Sequence, residues 1–529
     1  HAVWAARHAV HGPFLLFNAD DSYGPGAPAA LAAALAPGVP GRFAMLGYAL
    51  GATLSPAGTV SRAVAEVDGD GLMTGLREFP AVGPGGRVVG GADDGVLLPM
   101  GAPVSMNAWA FTPDVFPLIE AFLVRFLATA DLAHDEAFLP AAIDAAVRAG
   151  EVTVQVAAAP DPWCGMTWPE DRAKVAARLA ELASVEAAGQ AFGLADAAPQ
   201  AFGGGLIHGT WRVGGHLLQR INTAAFPDPP AVVRNAALAA ARVDAALRAS
   251  GDDDPRHRLR YLPAPGGASW YRGSEGAVWR CAVLVPNARS ADPAKPAELR
   301  SAARALGRFP GLVAAGEGPA PATVLPGFHD TPARLTAFRA ALQADAAGRV
   351  ADCGREATRL LELAPLAQRL ADRNLPERLV HNDAKPDNVL VDAATGEALC
   401  VIDLDTVQPG LAVHDFGDLV RGAVTGRPED EPDAGAIGVD RDRFTALAAG
   451  WCEGAATWLT SAERAAMVDG ALVITYEQAL RFLADHLAGD VYYRVDDPGH
   501  NLRRARAQLA LLEALLEAED ELCAIVEAL

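Results

Sequence analysis

Residues 381–388 read His-Asn-Asp-Ala-Lys-Pro-Asp-Asn. In this octet the carboxylate of Asp383 follows a histidine by two positions and precedes the amide of Asn388 by five, with the ammonium of Lys385 between them. A carboxylate can align a hydroxyl and relieve it of its proton. An amide oxygen at that spacing can reach a divalent cation, and a lysine between the two can neutralise charge on a phosphoryl group in transit. The chemistry open to such a set is transfer of a phosphoryl group from a metal-bound polyphosphate to a hydroxyl.

A second carboxylate follows at a telling place. The run Cys400-Val401-Ile402-Asp403-Leu404-Asp405-Thr406 is a strand pattern interrupted by acid. A carboxylate at the end of a buried strand is costly unless it is paired or holds a cation. Asp403 is therefore read as a magnesium ligand together with Asn388, with Asp405 as a helper. Between the two motifs lies an apolar hairpin, Val389–Val391 and Leu399–Ile402. Histidine-x-aspartate, asparagine five residues on, and an aspartate on the next strand form the order found in kinase catalytic segments. Upstream, Gly203-Gly204-Gly205 precedes a strand pattern and can turn backbone N–H groups toward the phosphates of ATP. On a following strand Arg220 can pair those phosphates. Two plainer readings stand beside these: a glycine cluster is often a simple turn, and an edge-strand arginine is often only solvated.

These residues need elements to hold them. The chain has 529 residues, enough for two or three domains, and half of them are hydrophobic. With 44 basic and 65 acidic residues the formal charge is -21, which argues against a nucleic-acid partner. The six cysteines at 164, 281, 353, 400, 452 and 523 form no C-x-x-C pair and read as buried thiols of a reducing compartment. The sequence carries no signal-peptide pattern and no apolar run long enough for a bilayer, so a cytoplasmic protein without membrane partners is expected. Nothing in it speaks to oligomeric state.

In residues 1–160 strand patterns (Phe43–Leu50, Thr59–Val67, Val104–Phe111, Val152–Ala157) alternate with helical ones (Ala27–Ala36, Pro113–Ala128, Glu136–Ala149). Such alternation predicts an α/β, Rossmann-like domain with a mainly parallel sheet over residues 1–190, closed by a helix from Pro169 to Gly189. Strand patterns at Thr210–Val213, Leu217–Ile221 and Val278–Val285 predict a small lobe over 191–295. Helical patterns dominate 296–529. Together these two parts predict an α+β, protein-kinase-like bilobal C-terminal domain.

The C-terminal part resembles the aminoglycoside-phosphotransferase superfamily and, within it, the N-acetylhexosamine 1-kinases. The stretches that carry this are Leu218–Asn222 with Phe226-Pro227, the octet 381–388, Val401–Val407, and Asp415–Asp418 with Arg421. Arg481–Asp485 with Gly489–Tyr493, and His500–Leu502 with Arg506 and Gln508, complete the set. The resemblance implies phosphate transfer from ATP, with magnesium, to the anomeric hydroxyl of an N-acetylhexosamine or related hexose. It implies Asp383 as base, Asn388 and Asp403 as metal ligands, and Asp418, Arg421, Asp485 and Asp490 on the sugar side. Helix caps and packing ion pairs are the other reading of these last four. An antibiotic-modifying kinase acting on polycationic aminoglycosides is the alternative within the same superfamily.

The N-terminal part resembles sugar-1-phosphate nucleotidyltransferases through His1–Arg7, Phe17–Gly24, Val104–Trp109, Glu136–Pro140 and Trp163–Val175. The resemblance implies a metal at Asp20 and joining of a sugar 1-phosphate to a nucleotide. Two departures set the expectation that the part given is a poor catalyst. The sequence opens beyond the family's glycine-rich, arginine-bearing nucleotide loop. A second metal-binding aspartate is also missing after the closing tryptophan, where Asp161 or Asp171 could substitute. A non-catalytic module that binds a nucleotide sugar and regulates the kinase is the other expectation for this part.

Overall fold

The computed structural model describes residues 2–35, 39–55, 58–131, 135–165, 171–195, 197–202 and 207–529. The chain divides into two compact units. Unit 1 is His1–Gly203 with Thr210–Gly214, and unit 2 is Gly204–Gly209 with Gly215–Leu529. The change of unit thus falls near residue 203, where the sequence patterns put it at 190.

Unit 1 is built on six strands: β1 (Phe14–Leu16), β2 (Arg42–Ala49), β3 (Val60–Val67), β4 (Met73–Val82), β5 (Pro103–Phe111) and β6 (Thr153–Ala158). Their order is β4-β3-β5-β2-β6, with β1 against β5. The mainly parallel sheet expected from alternation is corrected here. Strand β5 is antiparallel to β1, β2 and β3, and β3 is antiparallel to β4. Among these pairs β2 and β6 alone run parallel, and the helices Val115–Thr129 and Leu139–Arg148 lie in the connection from β5 to β6. The unforeseen strand is β4, whose Gly75 and Pro80 disguise its pattern. It lies at the end of the strand order, the place where a sheet tolerates proline. Side chains of β2 alternate between two cores, Phe43 and Met45 on one face and Ala44, Leu46 and Tyr48 on the other. A short hairpin of β7 (Gln200–Ala201) and β8 (Gly209–Val213) follows the helix Asp171–Ala191.

Unit 2 opens with β9 (His216–Arg220), β10 (Tyr271–Arg272) and β11 (Val278–Val283), in the order β10-β11-β9 and antiparallel throughout. The helix Pro229–Ala249 is started by Asp228, whose side chain accepts from the Ala231 N–H, with Pro229 as its first residue. It joins Ile221, Phe226 and Val278 in a small core through Val232 and Val233.

Five short strands then form two ribbons. β12 (Ala288–Ser290), β14 (Val389–Asp392) and β15 (Ala398–Val401) make one, and β13 (Glu377–Val380) with β16 (Gln408–Leu411) makes the other. The hairpin expected between the two sequence motifs is the β14–β15 pair. Around the ribbons lie the helices Pro296–Ala315, Ala412–Ala423, Arg441–Ala455, Met467–Ala488 and His500–Glu517, which share one large core. Glycine sets how closely they pack. A Cβ on Gly417 or Gly470 would meet backbone of the facing helix, as would one on Gly450 or Gly454. Those pairs are the Ala412–Ala423 helix on Met467–Ala488, and the Pro296–Ala315 helix on Arg441–Ala455. Among the described residues no helix is long and apolar enough to cross a membrane.

Candidate active site

The octet 381–388 lies between the two ribbons, entering from β13 and leaving into β14. Its first half is pinned from beneath. The backbone N–H groups of His381 and Asn382 each donate to Asp415, at 2.7 Å and 2.7 Å, from the first turn of the Ala412–Ala423 helix. Burial pushes the Asp415 carboxyl up to about 6, although nearby His381 and the two N–H donors pull the other way. Asn382 adopts a left-handed backbone (φ 63) and donates its amide to the Thr406 carbonyl at 2.9 Å. The Thr406 hydroxyl donates to the His381 carbonyl at 2.6 Å. The His381 Nε2–H donates to the Ile402 carbonyl at 2.9 Å, which leaves Nδ1 to accept from the Asp383 N–H at 3.3 Å. The bonds to Thr406 and Ile402 tie the octet to the segment that carries Asp403.

Asp383, Lys385 and Asn388 are brought together. The Lys385 ammonium lies 3.1 Å from the Asp383 carboxylate, and both side chains are about one-third exposed, at 33% and 29%. The Asn388 amide nitrogen donates to the Asp383 carboxylate at 3.0 Å and to its carbonyl at 2.8 Å. With its nitrogen so engaged, the amide oxygen of Asn388 is the atom left to meet a cation. Burial raises the Asp383 carboxyl, but the Lys385 charge, His381 and the two hydrogen bonds outweigh it and hold the group below the usual carboxylate range. Burial alone would lower Lys385, yet Asp383, Asp418 and Asp403 raise it. The Asp383 carboxylate is thereby ionised and the lysine charged.

Asp403 shares this field. It stands after β15 in a left-handed conformation (φ 60). Burial, then the like charges of Asp405 and Asp383, push its carboxyl up. A carboxylate destabilised by other carboxylates is relieved by a cation, so the residues present fit a divalent metal. Among the described residues no group of three His, Cys, Asp or Glu side chains forms a metal site. Asp403 and the Asn388 amide oxygen are the groups here that could hold a divalent cation.

Asp405, read from sequence as a helper on that metal, is corrected by its partners. Its carboxylate is gripped by Arg280 of β11 through both terminal nitrogens, the second at 2.9 Å, and by His208 Nε2 at 2.6 Å. Burial raises Asp405, and Arg280 and His208 overturn that and hold it far below the usual range. Arg280 also donates to the Gln219 side chain at 2.9 Å. Arg220, the sequence candidate for phosphate pairing, stands opposite Trp279 in the β9–β11 register. Alternation turns it to the face opposite Gln219 and Arg280. Arg280 on the other face is the cation that reaches Asp405, and its signal was a lone charge inside the apolar run Val278–Val283. Gly203, Gly204 and Gly205 lie outside the described residues.

The four sugar-side candidates separate into two pairs. Asp418 is buried against Arg421 at 2.7 Å, and Arg421 reaches Glu429 at 2.5 Å. This pair borders the octet, since Asp418 acts on Lys385. Asp485 and Asp490 turn toward the loop that follows them and its neighbours. Asp485 accepts from the N–H groups of Val491, Tyr492 and Tyr493 and from Asn501, at 2.9, 2.8, 3.0 and 2.9 Å. Asp490 pairs with Arg349 at 2.6 Å and with Asn501 at 2.9 Å. The loop they fold presents Tyr492 and Tyr493 to Arg481, with Phe328 on another side, at 5.8, 5.7 and 5.6 Å from the guanidinium. Sequence marks this stretch by its acids, whereas the structure turns those acids inward and leaves the aromatics around the arginine.

In unit 1, Asp20 lies exposed in the turn after β1. Asp161 is buried and accepts from the Gly26 N–H at 2.7 Å, closing the 24–26 turn. Asp171 accepts from the Ser55 hydroxyl at 3.1 Å. Residues 166–170 of the closing segment lie outside the described residues.

Residues 200–451 match the model of the APH family, described as the phosphotransferase enzyme family. The C-terminal part carries a phosphotransferase-family domain. The match takes in the octet, Asp403, Asp405, Arg280 and the Asp418–Arg421 pair. Solved structures similar to this phosphotransferase part include a choline/ethanolamine kinase family protein from Mesorhizobium loti. It is 18% identical, covers 66% of this chain and 99% of that one, and has a TM-score of 0.39. An aminoglycoside phosphotransferase from Alicyclobacillus acidocaldarius is 15% identical, covering 62% and 93%, with a TM-score of 0.40. A microcompartment-associated aminopropanol kinase is 17% identical, covering 62% and 94%, with a TM-score of 0.42.

Proposed function

We propose that unit 2 transfers the terminal phosphoryl group of ATP to a hydroxyl of a neutral sugar, the anomeric hydroxyl of an N-acetylhexosamine or related hexose. The observation that carries the reading is the Asp383 carboxylate, ionised, about one-third exposed, and held by Lys385 and Asn388. In this reading Asp383 orients the acceptor hydroxyl and takes its proton, a role worth about 10²–10⁴-fold in rate. Lys385 neutralises charge on the moving phosphoryl group. Asn388 and Asp403 would hold magnesium, which supplies charge neutralisation on the polyphosphate when bound.

Two observations favour a neutral acceptor over a polycation. The acid beside the octet, Asp418, is engaged by Arg421, which also reaches Glu429. Farther along, Arg481 adds positive charge among Tyr492, Tyr493 and Phe328. A polycationic aminoglycoside would meet repulsion there, whereas aromatic faces and guanidinium donors suit a hydroxyl-rich ring. The long sequence resemblance to N-acetylhexosamine 1-kinases supports the same acceptor. Incubation with ATP, magnesium and a panel of free hexoses, beside kanamycin-like amines, tests this. Turnover with the amines alone overturns the sugar assignment.

For unit 1 we infer a nucleotide-sugar role from its resemblance to sugar-1-phosphate nucleotidyltransferases, with exposed Asp20 as the metal-facing carboxylate. A sugar 1-phosphate made by unit 2 is the substrate such a transferase takes. Release of pyrophosphate from a nucleoside triphosphate plus sugar 1-phosphate supports catalysis. Binding of nucleotide sugar without that release supports the regulatory alternative.

A further inference from the structure

We propose that His208 is a positioning residue for the metal–nucleotide site, acting through Asp405 on the turn that aims Asp403. The proposal rests on the phosphotransferase reading of that site. It starts from three buried side chains in contact. Asp405, Arg280 and His208 retain 3%, 2% and 6% of their side-chain exposure. Arg280 takes one Asp405 oxygen and shares the other with His208. A carboxylate so satisfied has little left to offer a metal.

The histidine's protonation pattern is fixed by its second nitrogen. Nδ1 accepts the backbone N–H of Asn222 at 3.1 Å, so Nε2 carries the hydrogen that Asp405 receives at 2.6 Å. With Nε2 as donor and Nδ1 as acceptor the ring makes both bonds at once. Asn222 reinforces the arrangement by donating its side-chain amide to the Ile207 carbonyl at 3.1 Å. The His208 ring also lies 5.3 Å from Phe226. Residues 207–208 are thereby locked between the Asn222 turn and the Asp403–Asp405 turn.

The consequence for the site is geometric. Asp403 is held at φ 60, a backbone conformation non-glycine residues adopt at a cost. Directly after it comes the tight turn Leu404–Thr406, with the gripped Asp405 in its middle. Two anchors on Asp405, one from β11 and one from His208, hold that turn, and with it the direction of the Asp403 carboxylate. Arg280 is also the counter-charge of buried Asp405, so its removal would strand a buried anion and endanger the fold. Loss of His208 leaves the Arg280 pair intact. It therefore separates positioning from folding.

The experiment titrates magnesium plus a non-hydrolysable ATP analogue into full-length wild type, His208→Ala and His208→Gln by calorimetry, with thermal unfolding of each protein measured in parallel. Glutamine carries an N–H donor at the reach of histidine Nε2. The expected result is analogue binding weakened about tenfold in His208→Ala and largely restored in His208→Gln. Both variants should unfold as cooperatively as wild type, and the KM for the acceptor should stay within twofold. Binding by His208→Ala that matches wild type overturns the proposal. So does a loss that glutamine does not rescue and that follows a fall in thermal stability. If wild type binds no metal–nucleotide at all, it is the phosphotransferase reading that fails.

Discussion

Asp383 is ionised because Lys385, His381 and Asn388 outweigh its burial. Asparagine at this position keeps the shape and removes the proposed base. Asp383→Asn is expected to lower kcat by about 10²–10⁴-fold while nucleotide affinity changes little, checked by steady-state kinetics beside calorimetry. Asp403→Asn acts on a different quantity. It removes the like-charge strain around Asp405 and Asp383 together with the charge of the proposed metal ligand, so the magnesium concentration for half-maximal activity should rise at least tenfold. A magnesium titration at saturating ATP reads this, and an unchanged midpoint would remove Asp403 from the metal.

A third residue-scale prediction concerns pH. His329 meets Glu477 at 2.9 Å and donates Nε2–H to the Asn382 carbonyl at 3.1 Å. Burial lowers His329, but the Glu477 charge and hydrogen bond raise it above its ordinary value. A raised histidine contributes stability that is complete below its unfolded value near 6.5 and is lost as pH rises through the higher folded value. His414, whose ring lies 5.1 Å away, is lowered to about 3 by burial and by His329, and stays neutral throughout that window. The stability cost of His329→Gln should therefore be larger at pH 6 than at pH 9. Urea unfolding at the two pH values measures it.

Elements reached by simple signals matched what forms. The hairpin between the two acidic motifs is such a case, where local chemistry decides local structure. The parallel sheet was misread because alternation of helix and strand patterns does not say which strands become neighbours. Strand β5 pairs with three others, a long-range choice. Site residues divide along the same line. Asp383, Lys385 and Asn388 lie within six residues, and their meeting follows from spacing. Arg280 comes to Asp405 across 125 residues, and Asp485 spends its oxygens on a loop, neither of which spacing reveals. Helix packing offers a test at this scale. Gly417 faces the backbone of the Met467–Ala488 helix, so Gly417→Ala must push two core helices apart. A cost of about 1–3 kcal/mol in chemical denaturation is expected. Wild-type stability in that variant would contradict the close approach.

At the scale of the molecule, a phosphotransferase domain and a separate mixed-sheet unit share one strongly acidic chain with a net charge of -21. The acid is not spread evenly in function. Around the octet 381–388 the carboxylates differ in what they meet. Asp383 faces Lys385, Asp403 is left short of positive charge, Asp405 is tied to Arg280, and Asp415 carries the octet's backbone. In the proposed phosphoryl-transfer reading, that division of labour leaves metal and substrate to supply the missing partners. The most direct measurement follows phosphorus by nuclear magnetic resonance in a mixture of ATP, magnesium and an N-acetylhexosamine with wild type or Asp383→Asn. The account predicts a new sugar 1-phosphate resonance with wild type, and its near loss in the variant although nucleotide still binds. An equal rate of phosphate transfer by both proteins would contradict it.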